Sequence, residues 1–286
     1  MSISIIIPSY NRAVLLEKTL GSIISQTCSE WECIVVDDFS NDNTKEVVER
    51  LIKDNSQLSY YINCHKKGAQ GARNTGLDHA KYDWVIFFDS DNLMHPDFVE
   101  IMTNHLSDDI DVLGCCSDIV DINTGNTGRV MNPNCYGNIH DELFCGNCYV
   151  DFNQAVIRKS KLREIGGLDE DCPSMQEWDT HIRLSQTARY AMIEDRLIDY
   201  FMGGGDAISS NRKREVIGRM YVLKKHLKEW KKRQLGLTKY TYQIYTIIKG
   251  NDDESFVKEK KQELRNLVPF FYARITFCLL WFKLKG

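Results

Sequence analysis

Short apolar runs alternate with segments of helical spacing between residues 3 and 88. The apolar runs are rich in β-branched and aromatic side chains and occupy positions 3–7, 33–36, 59–62 and 84–88. Between them, positions 15–25, 44–53 and 72–79 carry helical spacing, and we expect Asn43 and Thr44 to cap the second helix. This alternation predicts an α/β fold with a Rossmann-like, mostly parallel sheet flanked by helices.

Polar residues follow each of these four predicted strands, at 8–11, 37–38, 64–66 and 89–92. The carboxyl ends of parallel strands lie along one edge of a sheet, and open α/β sheets bind their ligands at that edge. The pattern therefore predicts a ligand site to which four strand ends contribute.

The rest of the chain has a looser pattern. We expect helices at 96–106 and 176–186, strands at 112–116, 154–157 and 196–201, and then a glycine loop at 203–205. An apolar seam at 216–230 and an apolar segment at 269–282 predict helices at the carboxyl end. The predicted organisation is one α/β domain at 1–210, divided into two halves (1–92 and 93–210), with a helical extension at 211–286.

Composition places the 286 residues among ordinary globular chains, with 43% apolar and 27% charged residues. No uncharged apolar stretch is long enough to span a bilayer, and no secretory signal is recognisable. Ten cysteines without such a signal indicate reduced thiols and a cytoplasmic protein. Cys145 and Cys148 form a CxxC pair that lacks a second pair at zinc-site spacing.

The net charge of −4 hides a basic segment at 211–240, which has eleven Lys or Arg against two Glu. Its charges either form the solvated face of a helix that packs on the acidic domain, or they attract an anionic membrane surface. The aromatic segment that follows, from 269 to 282, is typical either of an interfacial anchor or of a packed helix, and Arg274 argues against spanning. Nucleic acid is not an expected partner, because no recognisable binding motif is present.

Asp89-Ser90-Asp91 is the segment most indicative of chemistry. Residues two apart on a strand point the same way, so both carboxylates can face one site. Mg²⁺ and Mn²⁺ take such oxygen ligands together with substrate phosphates, and a diphosphate leaving group needs this neutralisation. The alternative is a solvated turn at a strand end.

Two further segments indicate a nucleotide. Adjacent Asp37 and Asp38 suggest a ligand that offers donors, such as a ribose or an imide N–H, and we assign Asp38 to the ligand and Asp37 to structure. Residues 68–76 open the third helix with glycines, and Arg73 is expected to contact a phosphate or a carboxylate of the site. Neither GxGxxG nor a GxxxxGK[ST] loop is present, which disfavours a dehydrogenase and a phosphate-loop enzyme.

Glu177 lies at the start of the helix predicted at 176–186. It could accept a proton from an acceptor hydroxyl as a general base. The competing explanation is an acid in the first helical turn that interacts favourably with the helix dipole.

Together these motifs resemble glycosyltransferase family 2, whose members adopt the GT-A fold. The matching segments are 5–12 (IIIPSYNR), 35–40 (VVDDFS) with Asp42 and Thr44, 71–77 (GARNTGL), 88–91 (FDSD), 166–170 (GGLDE) and 176–179 (QEWD). Their order and spacing are similar to those of the family over about the first two hundred residues.

The resemblance implies a nucleotide-sugar donor, with a UDP-sugar expected, and Mn²⁺ or Mg²⁺. It also implies that the half at 1–92 binds the nucleotide sugar and that the half at 93–210 binds the acceptor. By similarity, Tyr10 flanks the base, Asp38 bonds it and Glu177 is the general base, where the family usually has Asp. Asp91 with Asp89 would hold the cation, and Ser90 would lie near the ribose. The remaining expected donor-binding residues are Pro8, Ser9, Asn11 and Arg73. Many relatives have a His in the loop matching 202–206, where this chain offers only Asp206 or a flexible lid.

The function predicted from this resemblance is inverting sugar transfer to a hydroxyl of a glycan or lipid-linked acceptor, as in surface polysaccharide or glycolipid assembly. The expected location is the cytoplasm, with peripheral contact on the inner face of the membrane. Two alternatives stay open: a nucleotidyltransferase-like enzyme and an inactive accessory subunit that binds sugar or lipid.

Overall fold

A computed structural model describes residues 1–203 and 211–273, which form two compact units. The first unit comprises residues 1–139, 149–170 and 180–203, and the second comprises 140–148, 171–179 and 211–273. Most of the loop predicted at 203–205, Asp206 and most of the segment predicted at 269–282 lie outside the described residues. Within the described part, residues 269–273 are helical.

One mixed sheet runs through the first unit, with nine strands in the described residues; eight of them follow the order β3-β2-β1-β4-β8-β6-β9-β5, and β7 pairs with β6 outside this order. The strands are β1 (Ile3–Ser9), β2 (Trp31–Asp37), β3 (Leu58–Ile62), β4 (Trp84–Phe87), β5 (Leu93–Met94), β6 (Val112–Asp121), β7 (Arg129–Met131), β8 (Ala155–Arg158) and β9 (Tyr190–Met202). β1 to β4 are parallel to one another, whereas β8 is antiparallel to β4 and β6. The parallel half therefore has all its carboxyl ends on one edge, as predicted.

Helices of the first unit connect these strands. They are α1 (Ala13–Ile24), α2 (Thr44–Ile52), α3 (Ala69–His79), α4 (Phe98–His105) and α6 (Lys159–Glu164), with a short 3₁₀ helix at Phe152–Gln154. The packing of α3 on β1 is close enough to require glycine, since a Cβ at Gly76 would lie 2.2 Å from Cγ2 of Ile6. This close approach accounts for a glycine inside a helix, where it otherwise costs stability.

The predicted cap of α2 is wrong in detail. Asn43 occupies the cap position without a side-chain hydrogen bond, and Asp42 Oδ1 instead accepts hydrogen bonds from the amide of Thr44 at 3.1 Å and from its hydroxyl at 2.5 Å. Asp42 also accepts a hydrogen bond from the amide of Ala13 at the start of α1. One carboxylate thus accepts hydrogen bonds from the first turns of two helices. Residue spacing along a single helix could not indicate such a shared contact.

The second unit contains α5 (His140–Cys145), α8 (Arg212–Lys225), α9 (Leu227–Lys232), α10 (Gln234–Lys249) and α11 (Glu254–Leu267). Its core is aromatic: the rings of Trp230 and Tyr240 stack with centroids 4.5 Å apart, and Phe144 meets Trp230 edge-on at 4.7 Å. The predicted seam at 216–230 is broken at His226, which ends α8. Among the described helices, none combines the length and the apolar content needed to cross a bilayer.

Candidate functional site

Asp38 lies directly beyond the end of β2 and is 7% exposed. Its Oδ1 atom accepts a hydrogen bond from Asn63 Nδ2 at 2.7 Å, and its Oδ2 atom accepts one from the amide of Gly68 at 2.9 Å. Each oxygen keeps a further lone pair, because a carboxylate oxygen can accept more than one hydrogen bond. The geometry fixes the plane of the Asp38 carboxylate and leaves it able to accept from a ligand.

Asp37 has a structural role in this arrangement. It accepts hydrogen bonds from the amide and hydroxyl of Ser40 and, at 2.8 Å, from the hydroxyl of Tyr60. Burial and the Asp37 carboxylate raise the pKa of Tyr60, which keeps this hydroxyl protonated as a donor. The assignment of Asp37 to structure agrees with these contacts.

Two aromatic rings stand exposed at the edge of the sheet next to Asp38. Tyr10 is 46% exposed and Phe39 is 48% exposed, and Lys67 Nζ lies 5.2 Å and 5.9 Å from their ring centroids. Phe39 has a φ of 67° and Asn11 a φ of 52°, a conformation that non-glycine residues seldom adopt. Asn11 holds the turn through its side-chain oxygen, which accepts from the amide of Asn41. Both rings are therefore exposed to solvent beside a turn with strained backbone.

Asp89 is already neutralised by the protein. Its Oδ1 atom accepts from Arg73 Nη2 at 2.7 Å, its Oδ2 atom accepts from Asn153 Nδ2 at 2.8 Å, and its amide donates to Asn153 Oδ1. Arg73 is 4% exposed and also donates to Gln70 and packs over the ring of Phe152. Of the two partners expected for Arg73, a phosphate or a carboxylate, the structure shows the carboxylate.

Asp91 has a different environment. No other residue in the described part of the chain donates a hydrogen bond to its carboxylate. Burial and the neighbouring charge of Asp89 raise the pKa of Asp91, and the opposing charge of Arg12 only partly offsets them. A half-buried carboxylate beside a second carboxylate is electrostatically suited to a divalent cation.

Buried polar groups of this edge are also without protein partners. Among the described residues, the hydroxyl of Ser9 and the Nε2 atom of Gln70 have no hydrogen-bond partner although both side chains are buried. Ser90, between the two aspartates, is 8% exposed. Such orphaned groups are uncommon in folded proteins and mark places where a ligand or water completes the hydrogen bonding. Ser9 and Ser90, which were predicted to bind the donor, therefore lie at the same edge of the sheet as Asp38 and Asp91.

A second set of metal-ligand atoms lies on β6, on β9 and directly after β5 in the first unit. His95, Asp118 and Asp199 place one ligand atom each within 4.8 Å of the others, with His95 Nε2 at 3.2 Å from Asp199 Oδ1. Asp118 and Asp199 are register partners on β6 and β9, and Arg196 contacts Asp118 at 3.3 Å. Because these residues come from two strands and a loop that are far apart in sequence, no spacing pattern predicted them.

Glu177 belongs to the second unit and is half-buried in the first turn of α7 (Gln176–Leu184). The residue before this helix, Met175, has a φ of 60°, a strained conformation for a non-glycine residue. Asp179, one turn on, is 1% exposed and bonds His226 Nε2 at 2.7 Å and Lys225 Nζ at 2.8 Å. The segment that carries Glu177 is therefore fixed by a buried ionic contact.

Solved structures define the class of this fold. TarS residues 1–349 of S. aureus in complex with UDP-GlcNAc aligns with a TM-score of 0.60 and 19% identity, covering 94% of this chain and 72% of that one. Mannosyltransferase PcManGT from Pyrobaculum calidifontis, in complex with GDP-Man and Mn²⁺, aligns with a TM-score of 0.62 and 16% identity, covering 96% and 83%. The predicted GT-A fold is confirmed.

The family model for Glycosyl transferase family 2 matches residues 4–166, which is more than half of the chain. The chain belongs to this family, as its motifs predicted. A GalNAc(5)-diNAcBac-PP-undecaprenol beta-1,3-glucosyltransferase of Campylobacter jejuni is 45% identical over 91 residues, or 32% of this chain and 29% of that protein. An uncharacterized glycosyltransferase of Methanocaldococcus jannaschii is 23% identical over 280 residues, covering 92% and 95%.

The match to the more similar curated relatives is partial. A UDP-Glc:alpha-D-GlcNAc-diphosphoundecaprenol beta-1,3-glucosyltransferase of Escherichia coli is 41% identical over 91 residues, or 32% of this chain. The matched segments span 29% and 35% of the Campylobacter and Escherichia proteins, about a third of their length.

Proposed function

We propose that the chain transfers a sugar from a nucleotide-diphosphate sugar to a hydroxyl acceptor with inversion at the anomeric carbon. The observation that supports this most directly is the Asp91 carboxylate, which is half-buried, has a raised pKa and receives no hydrogen bond from another described residue. A carboxylate in this state at the ligand edge of a parallel sheet suits a cation that carries a diphosphate.

The base of the donor is proposed to bind at Asp38 and Tyr10. Asp38 offers acceptor lone pairs in a plane fixed by Asn63 and Gly68, so an imide N–H such as that of uracil can donate to it. Tyr10 provides an exposed ring on which a base can stack. This chemistry favours a UDP-sugar. The UDP-GlcNAc complex of TarS supports the same choice, although PcManGT binds GDP-Man.

The ribose and diphosphate are proposed to lie over Ser9, Asn11 and Ser90, next to the end of β1. The buried Ser9 hydroxyl, which has no partner among the described residues, can donate to an oxygen of the donor. Pro8 sets the direction of the chain before it. Arg73 acts indirectly, since its guanidinium is buried and donates to Asp89.

Asp91, with Asp89 beside it, is proposed to hold Mn²⁺ or Mg²⁺. The residues fit a hard cation because two carboxylates lie two positions apart and one of them has no competing donor among the described residues. When bound, the cation stabilises the charge that develops on the departing diphosphate. Mn²⁺ in the PcManGT complex supports the use of a divalent cation.

Glu177 is proposed to accept the proton of the acceptor hydroxyl. The oxygen of that hydroxyl then bonds the anomeric carbon as the bond to the diphosphate breaks, and a single displacement inverts the configuration. The fixed segment around Asp179 limits the positions that Glu177 can take. A general base requires a restricted position of this kind.

The acceptor is proposed to be a glycan or a lipid-linked saccharide handled at the inner face of the cytoplasmic membrane. The undecaprenol-linked substrates named for the Campylobacter and Escherichia relatives support this class. The basic residues of α8 and α9 support contact with anionic lipid. Flotation with vesicles of anionic and of neutral phospholipid tests the membrane contact: equal recovery in both would exclude charge-driven binding.

A donor panel tests the proposed activity. The protein is incubated with UDP-glucose, UDP-GlcNAc or GDP-mannose, with Mn²⁺ or with EDTA, and nucleoside diphosphate release is measured. We expect one donor to be turned over in Mn²⁺ and not in EDTA, with product of the opposite anomeric configuration by NMR. Absence of release with every donor and acceptor would contradict the transferase and leave the accessory binding role, whereas release of a sugar 1-phosphate in place of the nucleoside diphosphate would indicate nucleotidyl transfer.

A further inference from the structure

The ring of His65 lies between two carboxylates of the first unit. Its Nε2 atom is 2.9 Å from Asp78 Oδ2 on α3, and its Nδ1 atom is 2.8 Å from Glu170 Oε1 in the loop after α6. A neutral imidazole has one N–H, so only the imidazolium can donate to both carboxylates at once. The contact geometry therefore specifies the protonated form of His65.

Glu170 connects this ring to the neighbouring backbone and helix. Its Oε2 atom accepts a hydrogen bond from the amide of Lys66 at 3.1 Å, and its Oε1 atom accepts one from Asn74 Nδ2 at 2.7 Å. Asn74 in turn exchanges hydrogen bonds with the backbone of Leu168. The Glu170 loop is thus held against both α3 and the segment at 63–68, which we call the base loop.

The base loop reaches Asp38 through Asn63. The Nδ2 atom of Asn63 donates to Asp38 Oδ1 at 2.7 Å and to the carbonyl of Lys66 at 3.1 Å, while the amide of His65 donates to Asn63 Oδ1 at 2.9 Å. The last residue of the loop, Gly68, donates its amide to Asp38 Oδ2. Both oxygens of Asp38 therefore depend on the conformation of the segment that carries His65.

We propose that His65, as an imidazolium, is a positioning residue for the donor: by joining Glu170 to Asp78 it holds the base loop in the conformation that orients Asp38. The proposal rests on the proposed function, in which Asp38 bonds the base. His65 acts through Asn63 and Gly68 and does not itself contact the reacting atoms.

The tight packing of the base loop makes this coupling effective. A Cβ at Gly71 would lie 1.9 Å from the carbonyl oxygen of Lys66, so the loop rests directly on the first turns of α3. Because α3 blocks movement of the base loop toward the helix, we expect a shift of the loop away from Glu170 to displace Asn63 and the amide of Gly68 as well.

The charge state of His65 gives the proposal a distinctive pH dependence. The hydrogen bond to Asp78 and the charges of Glu170 and Asp78 raise the pKa of His65 above its ordinary value, against the opposing effect of burial. Asp78 from α3 and Glu170 from its loop are the charged groups that face the ring. The contribution of His65 is complete at pH values below the pKa of an unfolded histidine, and it is lost as the pH rises through the higher pKa of the folded protein.

The test compares His65→Gln with His105→Gln, a matched change at an exposed histidine of α4 whose ring bonds the carbonyl of Ile101 in its own helix. The best donor of the panel is titrated between about pH 6 and pH 9, a range that brackets the histidine pKa. We expect His65→Gln to raise the donor KM about three- to tenfold at the acid end with kcat nearly unchanged, since an uncharged side chain loses one charge-assisted hydrogen bond. The donor KM of the unsubstituted protein and of His105→Gln should rise from neutral toward alkaline pH, and that of His65→Gln should show no such rise.

Glu170→Gln provides a second variant, because it removes the charge while keeping an oxygen that can accept from Asn74. In this variant the NMR titration of the His65 ring should move to lower pH, together with the pH at which the donor KM rises. A donor KM in His65→Gln that equals that of the unsubstituted protein at every pH, or a loss confined to kcat, would overturn the inference alone. Failure of the unsubstituted protein to use any donor would overturn the proposed function and this inference with it.

Discussion

Arg73 donates a hydrogen bond from Nη2 to Oδ1 of Asp89 over 2.7 Å, and this contact distinguishes Asp89 from its neighbour two positions on. The second oxygen of Asp89 accepts from Asn153 Nδ2 at 2.8 Å. The carboxylate of Asp89 is therefore stabilised before any ligand arrives. The carboxylate of Asp91 is destabilised by burial and by the charge of Asp89, which raises its pKa.

Asp91→Asn and Asp89→Asn should change the stability of the metal-free protein in opposite directions. The pKa of Asp91 is raised by folding, so its ionised form opposes folding at pH values above the pKa of an unfolded aspartate, and the neutral amide removes this cost. We expect Asp91→Asn to raise Tm slightly, by about 1–3 °C, and Asp89→Asn to lower it. Thermal unfolding in EDTA measures both, and a lower Tm in both variants would show that Asp91 is not destabilising.

The same reasoning gives a pH dependence for the unsubstituted protein. Because the pKa of Asp91 is raised, protonation of this carboxylate begins at a higher pH than for an exposed aspartate. Proton binding at Asp91 relieves repulsion and competes with the cation. Mn²⁺-dependent binding of UDP, followed by calorimetry, should therefore weaken on acidification, and binding equally tight at acid and neutral pH would contradict this.

The position of the cation can be separated from the His95 cluster by paired substitutions. If the cation is held at Asp91, Asp91→Asn should weaken Mn²⁺-dependent binding of UDP by about tenfold or more, while His95→Ala should leave it within about twofold. Calorimetry with UDP and Mn²⁺ provides the measurement. The reverse pattern would assign the cation to His95, Asp118 and Asp199 instead.

Arg73→Ala should destabilise the first unit. Arg73 has a side chain that is 5% exposed, and its loss would leave Asp89 beside Asp91 without a neutralising partner. Asp89 is 33% exposed, so solvent screens part of the penalty, and we expect a loss of about 2 kcal/mol in the free energy of unfolding. Arg50→Ala, which removes an exposed pair with Glu17, is the control and should cost less than about 1 kcal/mol. Urea unfolding followed by fluorescence would reveal equal losses in the two variants if Arg73 had no special role.

The sequence was sufficient to predict those parts of the fold that depend on local pattern. Apolar runs closed by polar residues were enough to predict the four parallel strands and their alternation with α1 to α3 along the chain. They also predicted that Asp38 and Asp91 lie at one edge of the sheet. The two-residue strand β5 carries no such pattern. The strand predicted at 196–201 is much longer in the structure, because β9 pairs with β6 on both sides of a register shift and keeps the charged residues at 194–196 exposed.

The partners of the site residues could not be predicted in the same way. Asn153 reaches Asp89 from 64 positions away, and His226 reaches Asp179 from 47. Such contacts depend on tertiary packing rather than on spacing, and single polar residues in loops give no pattern to detect. Asn63 directly follows β3 and precedes the polar segment predicted at 64–66, so the sequence indicated its region but not its contact with Asp38.

Asp179→Ala should destabilise the second unit. The carboxylate is 1% exposed and contacts His226 and Lys225, so its removal breaks a hydrogen bond to a buried ring and an ion pair to a lysine. A loss of about 3 kcal/mol is expected for a buried pair broken on one side. Thermal unfolding of Asp179→Ala and of the exposed control Asp252→Ala tests this, and equal Tm values would show that the contact contributes little.

Glu177→Gln separates binding from chemistry. Gln is nearly isosteric with Glu and preserves the first turn of α7, but it cannot accept a proton from the acceptor hydroxyl near neutral pH. We expect kcat to fall by about a hundredfold or more, the usual contribution of a positioned general base, with little change in donor affinity. Asp171→Asn, a neutralisation in the loop before the same helix, should leave kcat largely unchanged. Calorimetry with UDP and Mn²⁺ checks binding, and initial rates of nucleoside diphosphate release check turnover. Full turnover in Glu177→Gln would assign the base to another residue, whereas loss of donor affinity would indicate that Glu177 supports binding rather than proton transfer.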